Sequence, residues 1–279
     1  MTKIRLVIFG VLFAIAVVII GLHMAGLLNP FSNKHSSLVF MIPILDVDNP
    51  QYDIQLLKPY LRPNDIVVFP IGLYNNVDPL KKQINGLNLA TGGTSLKNLS
   101  SRISSIPTDI DYVTYDYERG HTPEWTSDQA TSISYFDKLH LITTQNNKKL
   151  VIVPAWVFNP NFDWGEVAKH TDILVVQVQN FQTNAQGIPD VIKPTSLGID
   201  LKGVTQLIVN QVHAKSPSTK IFLQFGFDVT NNPDDIAADV KTVKNLGIDG
   251  VTLWYNAGTS SNTSKVLLEK ELLEKLEGQ

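Results

Sequence analysis

Asp172-Ile173-Leu174-Val175-Val176-Gln177-Val178-Gln179-Asn180-Phe181 is an apolar run that carries amides at its far end. Ile173 to Val176 are consecutive aliphatic residues, with no polar alternation between them. Such a strand is covered on both faces, as strands are in a parallel sheet flanked by helices. Similar runs recur at Leu38 to Leu45, Asp65 to Gly72, Asp111 to Glu118, Lys149 to Trp156, Lys220 to Phe227 and Gly250 to Tyr255. Helical patterns separate them: Tyr52 to Tyr60, Ser95 to Ile106, Asp128 to Asn146, Leu201 to Ala214 and Pro233 to Asn245. A last one, Ser264 to Leu276, puts Leu268, Leu272 and Leu276 on one face. Strands alternating with helices are βαβ units. Seven strands are plain, and Gly86 to Gly93 supplies an eighth, which closes an α/β chain into a (β/α)8 TIM barrel. An open doubly wound sheet is the rival. It is disfavoured because Ile44-Leu45-Asp46-Val47-Asp48 follows the first strand where a Gly-rich phosphate loop would stand.

The chain has 279 residues and a formal net charge of −3. That balance gives no electrostatic footprint for nucleic acid. Cysteine is absent, which excludes disulfides and thiolate metal sites. His121, His140, His170 and His213 show no metal-ligand spacing, and no cofactor motif is present. Lys3 and Arg5 precede Leu6 to Leu28, which is apolar apart from His23. This run is about the length that crosses a bilayer as a helix. The leading charges predict a cytoplasmic N-terminus and an extracytoplasmic bulk. Cleavage after Ala25 or Gly26 is the alternative, although the small-residue pattern there is poor. The expected organisation is an anchor at 1–28, a polar linker at 29–37 and a barrel at 38–279. Sequons at Asn98 and Asn262 are compatible with export.

In barrels of this kind the active site lies at the C-terminal strand ends. Those ends carry Asp46 and Asp48, Tyr74 to Asn76, Asp116 and Glu118, Trp156, Gln177 to Asn180, Gln224, and Trp254 to Asn256. Carboxylates, amides and aromatic faces converging on one mouth suit a carbohydrate: amides bond hydroxyls, and rings cover a sugar's apolar face. Trp125 and Trp164 are expected to widen that platform from nearby loops. In Asp111-Tyr112-Val113-Thr114-Tyr115-Asp116-Tyr117-Glu118 the side chains of Thr114, Asp116 and Glu118 share a face. Two neighbouring carboxylates repel when both are charged, which raises one pKa. A raised Glu holds a proton at neutral pH and serves as a general acid. A solvated strand end with Glu118 paired to Arg119 is the plainer reading of the same residues.

The segment Asp111, Thr114, Asp116, Glu118 resembles the Asp-x-x-Asp-x-Asp-x-Glu pattern on the fourth strand of glycoside hydrolase family 18, the chitinase-like barrels. Gln177, Gln179 and Asn180 stand where that family carries Met, Tyr and Asp. Gly250 to Trp254 resembles its last strand, which ends in a Trp under the reacting sugar. Leu89 to Gly93 is similar to its Gly-Gly strand end. The resemblance implies that Glu118 is the general acid and that Asp116 orients a substrate N-acetyl group. It also implies that Thr114, Gln177, Gln179, Asn180, Gln224, Trp156, Trp254 and Tyr255 contact the substrate. Thr114 replaces the middle carboxylate and Gln179 the Tyr, which leaves the motif incomplete. Three readings follow: a membrane-anchored glycosidase on a β-linked glycan, a lectin-like barrel, and a structural envelope protein. A protein-carboxylate route needs a second acid, for which Asp46, Asp48 and Asp228 are candidates.

Overall fold

The computed structural model describes residues 38–44, 50–70, 88–154, 162–183, 198–227, 230–254 and 262–277. Eight strands run β1 Val39–Pro43, β2 Ile66–Pro70, β3 Asn88–Gly93, β4 Tyr112–Tyr117, β5 Lys149–Pro154, β6 Ile173–Gln177, β7 Lys220–Gly226 and β8 Gly250–Trp254. Each pairs in parallel with the next, and β8 pairs with β1, so the sheet closes into a barrel. The polar segment expected as an eighth strand is β3, which bonds β2 on one side and β4 on the other.

Seven helices accompany the strands among the described residues: α1 Pro50–Leu57, α2 Leu96–Arg102, α3 Gln129–Gln145, α4 Trp164–Ala168, α5 Leu201–Lys215, α6 Pro233–Val243 and α7 Asn262–Glu277. Side chains of Ser95, Asp128, Asp163, Asp200 and Asn232 cap five of them by accepting from the first-turn amides. Five-residue α4 is too short to show a period, and the sequence reading placed a loop there. Trp164, expected as part of a sugar platform, opens this helix and is buried, with Phe162 edge-on at 4.6 Å. It belongs to the layer between strands and helices. The expected membrane-spanning helix, Leu6 to Leu28, lies outside the described residues. Among the described residues no helix is long and apolar enough to cross a membrane.

The strands carry two separate apolar clusters, one on each face. The outer one packs beneath the helices and holds residues such as Val113, Tyr115, Ile152 and Leu174. The inner one fills the barrel with Met41, Ile66, Ala90, Tyr112, Val151, Val153, Ile173, Val175 and Phe222. Both faces of every strand are therefore covered, which is why the runs read as continuously apolar.

Four aspartates fasten the N-terminal end of the barrel. Asp65, Asp111, Asp172 and Asp249 each stand immediately before an even-numbered strand. Each carboxylate accepts from a backbone N–H of the preceding odd strand: Phe40 N at 2.8 Å, Leu89 N at 3.1 Å, Leu150 N at 2.8 Å and Ile221 N at 2.9 Å. Each aspartate's own carbonyl accepts from the first residue of the following odd strand, namely Asn88, Lys149, Lys220 and Val39. The result is a four-fold clamp that bonds all eight strands at one end. Asp65 is the most buried of the four, and Arg62 also bonds it through Nη2 at 3.2 Å and through its backbone N–H at 2.8 Å.

This clamp sets the inward layers. One residue past each aspartate, Ile66, Tyr112, Ile173 and Gly250 form the lowest layer from alternate strands. A Cβ on Gly250 would lie 2.4 Å from the Val39 carbonyl oxygen and 2.6 Å from the Phe222 ring, so this position admits only glycine.

Bonds to charged acceptors contribute about 1.5–3 kcal/mol each. We predict that Asp65→Ala lowers unfolding free energy by roughly 3 kcal/mol, because it removes a buried acceptor bonded by both Phe40 N and Arg62. Asp172→Ala should lower it by about 1 kcal/mol, since its side chain is 38% exposed. Urea denaturation of the two variants checks the order; equal losses would show that the clamp carries no graded burial term.

Candidate active site

The inward layers change character toward the C-terminal end of the barrel. Above the apolar floor come Val68, Thr114, Val175 and Thr252, and above these stand Gln224 on β7 and then Asp116, Gln177 and Trp254. Among the described residues, carboxyl, amide and threonine side chains thus enter the interior in its upper half, on β4, β6, β7 and β8.

Strand β4 is held from behind. Tyr115 and Tyr117 point outward and are fully buried against Phe136 of α3. Tyr115 donates to Glu124 Oε1 at 3.0 Å, and the Tyr117 hydroxyl accepts from Thr126 N at 2.8 Å. With the odd-numbered side chains anchored, alternation directs Thr114 and Asp116 into the barrel. Gly92 on β3 packs against Thr114: a Cβ there would lie 2.4 Å from the Thr114 carbonyl oxygen and 2.6 Å from its Cβ.

The chain turns sharply after β4, with Gly120 at φ +82°. Thr122 fixes that turn. Its hydroxyl accepts from Glu118 N at 2.8 Å and donates to the Asp116 carbonyl at 3.0 Å. Glu118 Oε1 then accepts from Gln177 Nε2 at 2.7 Å, a contact that joins β4 to β6 across the mouth.

Burial first, and the Glu118 carboxylate second, push the Asp116 carboxyl up to about 7. The raised carboxyl of this pair is that of Asp116; the sequence reading gave the raised value to Glu118. Burial decides the matter, because Asp116 lies inside the barrel whereas Glu118 stands just beyond the strand end and takes the amide. Asp116 Oδ1, Thr114 Oγ1 and Gln224 Oε1 are buried and have no hydrogen-bond partner among the described residues.

Several expected residues stand elsewhere. Asp111 belongs to the clamp at the opposite end of β4. Strand β6 ends at Gln177, and Val178 turns away with ψ 12°. Gln179 and Asn180 therefore sit in a 3₁₀ turn, Gln179–Phe181, instead of continuing the strand's alternation. Gln179 is buried there. The turn is pinned by Gln182, which the sequence reading missed. Its Oε1 accepts from Gly226 N at 2.6 Å and its Nε2 donates to Gly226 O at 3.2 Å, copying a strand's pairing with the end of β7. Thr122 was also missed; a threonine four residues past the motif carries no distinguishing signal. Trp125 is partly buried in the loop after β4, with the Arg119 guanidinium 5.8 Å from its ring. Asp46, Asp48, Tyr74, Asn75, Asn76, Trp156, Asp228, Tyr255 and Asn256 lie outside the described residues. Among the described residues no group of three or more His, Asp or Glu side chains is placed to hold a metal ion.

No family model matches this chain, and no curated protein matches it. Solved structures do. A chitinase from Chromobacterium violaceum superposes with a TM-score of 0.55 at 10% identity, covering 87% of this chain and 99% of that one. The catalytic domain of a family GH18 chitinase from the fern Peteris ryukyuensis gives 0.56 at 14% identity, with 86% and 100% covered. The YdjI aldolase from Escherichia coli K12 gives 0.56 at 12% identity, with 90% and 92% covered. The likeness shows the fold. Chitinases and an aldolase stand at equal similarity, so the function has to be argued from the mouth itself.

A raised Asp116 binds a proton more tightly in the folded chain than in the unfolded one. Its contribution to stability is full below the unfolded carboxyl pKa of about 4 and is lost as pH rises through about 7. We therefore predict that Asp116→Asn matches wild type in stability near pH 4 and exceeds it by a margin that grows up to about pH 7. Denaturation curves at intervals of one pH unit measure this; a difference independent of pH would contradict the raised carboxyl.

Proposed function

We propose that this chain is a glycoside hydrolase-like (β/α)8 barrel that takes a β-linked glycan at its C-terminal mouth, in the manner of family 18. The observation that carries the reading is the inward carboxylate pair Asp116 and Glu118, with Glu118 bonded by Gln177 and Asp116 raised to about 7. Such a pair holds one proton near neutrality, which is what general-acid catalysis on a glycosidic oxygen requires. Gln177 occupies Glu118 Oε1 in the free site. A glycosidic oxygen that displaced Gln177 would stand within reach of Glu118, which would pass it the proton held by the pair. Asp116, left charged, would then stabilise positive charge developing at the sugar's anomeric centre.

A lectin-like reading has one observation in its favour. The Gln177 bond holds Glu118 as an acceptor, and Thr114 replaces a carboxylate at the middle of the motif. On either reading the barrel faces the outside of the cell, a placement that rests on the charged and apolar N-terminal sequence alone.

On the catalytic reading, Glu118→Gln lowers turnover of β-linked oligosaccharides by about 10²–10⁴-fold. Wild-type activity falls as pH rises through about 7, when the pair loses its proton. Reducing-end assays on N-acetylated and plain β-glycans check both. Glycan binding without turnover, equal in wild type and variant, would leave the lectin reading in its place.

A further inference from the structure

We infer that the mouth selects a glycan bearing free amino groups, an unacetylated hexosamine, over its N-acetylated or plain counterpart. This rests on the glycan reading of the same mouth. Among the described residues, the fully buried unpartnered side-chain atoms of the inner mouth are Asp116 Oδ1, Thr114 Oγ1 and Gln224 Oε1, all oxygens. Gln224 is 7% exposed and shares the inward face of β7 with Phe222 of the interior cluster. An amide oxygen only accepts, a threonine hydroxyl does either, and Asp116 becomes acceptor-only once it gives up its proton, which a bound ammonium favours by its charge. Buried acceptors left unmet are destabilising, and donors on a ligand relieve that. A sugar's acetamido group brings a single N–H donor and, with its oxygen, another acceptor to this floor. An ammonium brings three N–H donors and a positive charge.

The charge around these atoms points the same way. Asp116 and Glu118 are acidic, and the described inward side chains of the upper layers, Val68, Thr114, Val175, Thr252, Val153, Gln224, Gln177 and Trp254, include no base. An N–H of Gln177 is engaged by Glu118. Trp254 stands in the same layer as Asp116, and indole faces attract ammonium groups.

The test is calorimetric titration of the full chain at about 0.15 M salt, which screens surface attraction. The ligands are β-1,4-linked tetramers of glucosamine, N-acetylglucosamine and glucose. The proteins are wild type, Gln224→Leu and Gln224→Glu. Leucine removes an unmet buried acceptor, so the fold should tolerate it; glutamate supplies an acceptor that no amide flip converts to a donor. The expected result is glucosamine binding about tenfold tighter than either rival. The preference should be lost in Gln224→Leu and kept or increased in Gln224→Glu. Equal or tighter binding of an uncharged tetramer overturns the amine preference and leaves the glycan site standing. A Gln224→Leu variant that weakens all three ligands equally overturns it as well, by assigning Gln224 a structural role. Failure of all three ligands overturns both the preference and the glycan reading beneath it.

Discussion

Everything at the mouth depends on bonds made at the other end of the barrel. A closed parallel sheet has one degree of freedom that side-chain packing controls poorly, the slip of one strand along the next. A one-residue slip turns every side chain to the opposite face. Here Asp65, Asp111, Asp172 and Asp249 each bond the strand before and the strand after. Register is thus fixed at alternate strands by short charge-assisted bonds, and the layers above inherit it. Thr114 and Asp116 face inward because Asp111, three and five residues earlier, is locked to Leu89. The first carboxylate of the motif thereby positions the later ones without approaching the chemistry.

From that base the interior runs from apolar to polar along its axis. The lower layers are aliphatic and aromatic and exclude water. The upper ones carry a carboxylic acid, amides and an indole. That gradient explains the Asp116 carboxyl: it stands at the boundary, low enough to be desolvated and close enough to Glu118 to feel its charge. The bond from Gln177 belongs to the same economy, since it satisfies the carboxylate that remains. Unmet oxygens beside this pair are a feature of a site shaped for something that donates hydrogen bonds.

Much of the fold was legible because each strand is buried twice. Continuous aliphatic runs such as Ile173 to Val176 have few other uses in a chain of this charge. The exceptions have physical causes. Strand β3, Asn-Leu-Ala-Thr-Gly-Gly, reads as polar because Gly92 must leave space for Thr114, not because it is exposed. Helix α4 is held by Gly165 and Trp164 against α5, which no local period records: Trp164 N donates to Gln211 Oε1 at 2.9 Å. At the site, alternation along β4 was enough to bring Thr114, Asp116 and Glu118 together. Which carboxyl is raised was not legible, since burial depth is a property of the closed barrel. Nor was the end of β6 legible, where Gln182, pairing with Gly226, draws the chain across β7 and takes Gln179 off the strand.

The most direct measurement is a crystal structure of the Glu118→Gln variant grown with a β-linked amino-sugar oligomer. The carboxylate-pair mouth predicts a sugar ring over Asp116, its nitrogen substituent toward Asp116 Oδ1 and Gln224 Oε1, and its glycosidic oxygen within hydrogen-bond distance of residue 118. An oligomer seated elsewhere, or an interior above Thr114 filled by the protein's own side chains, would contradict it.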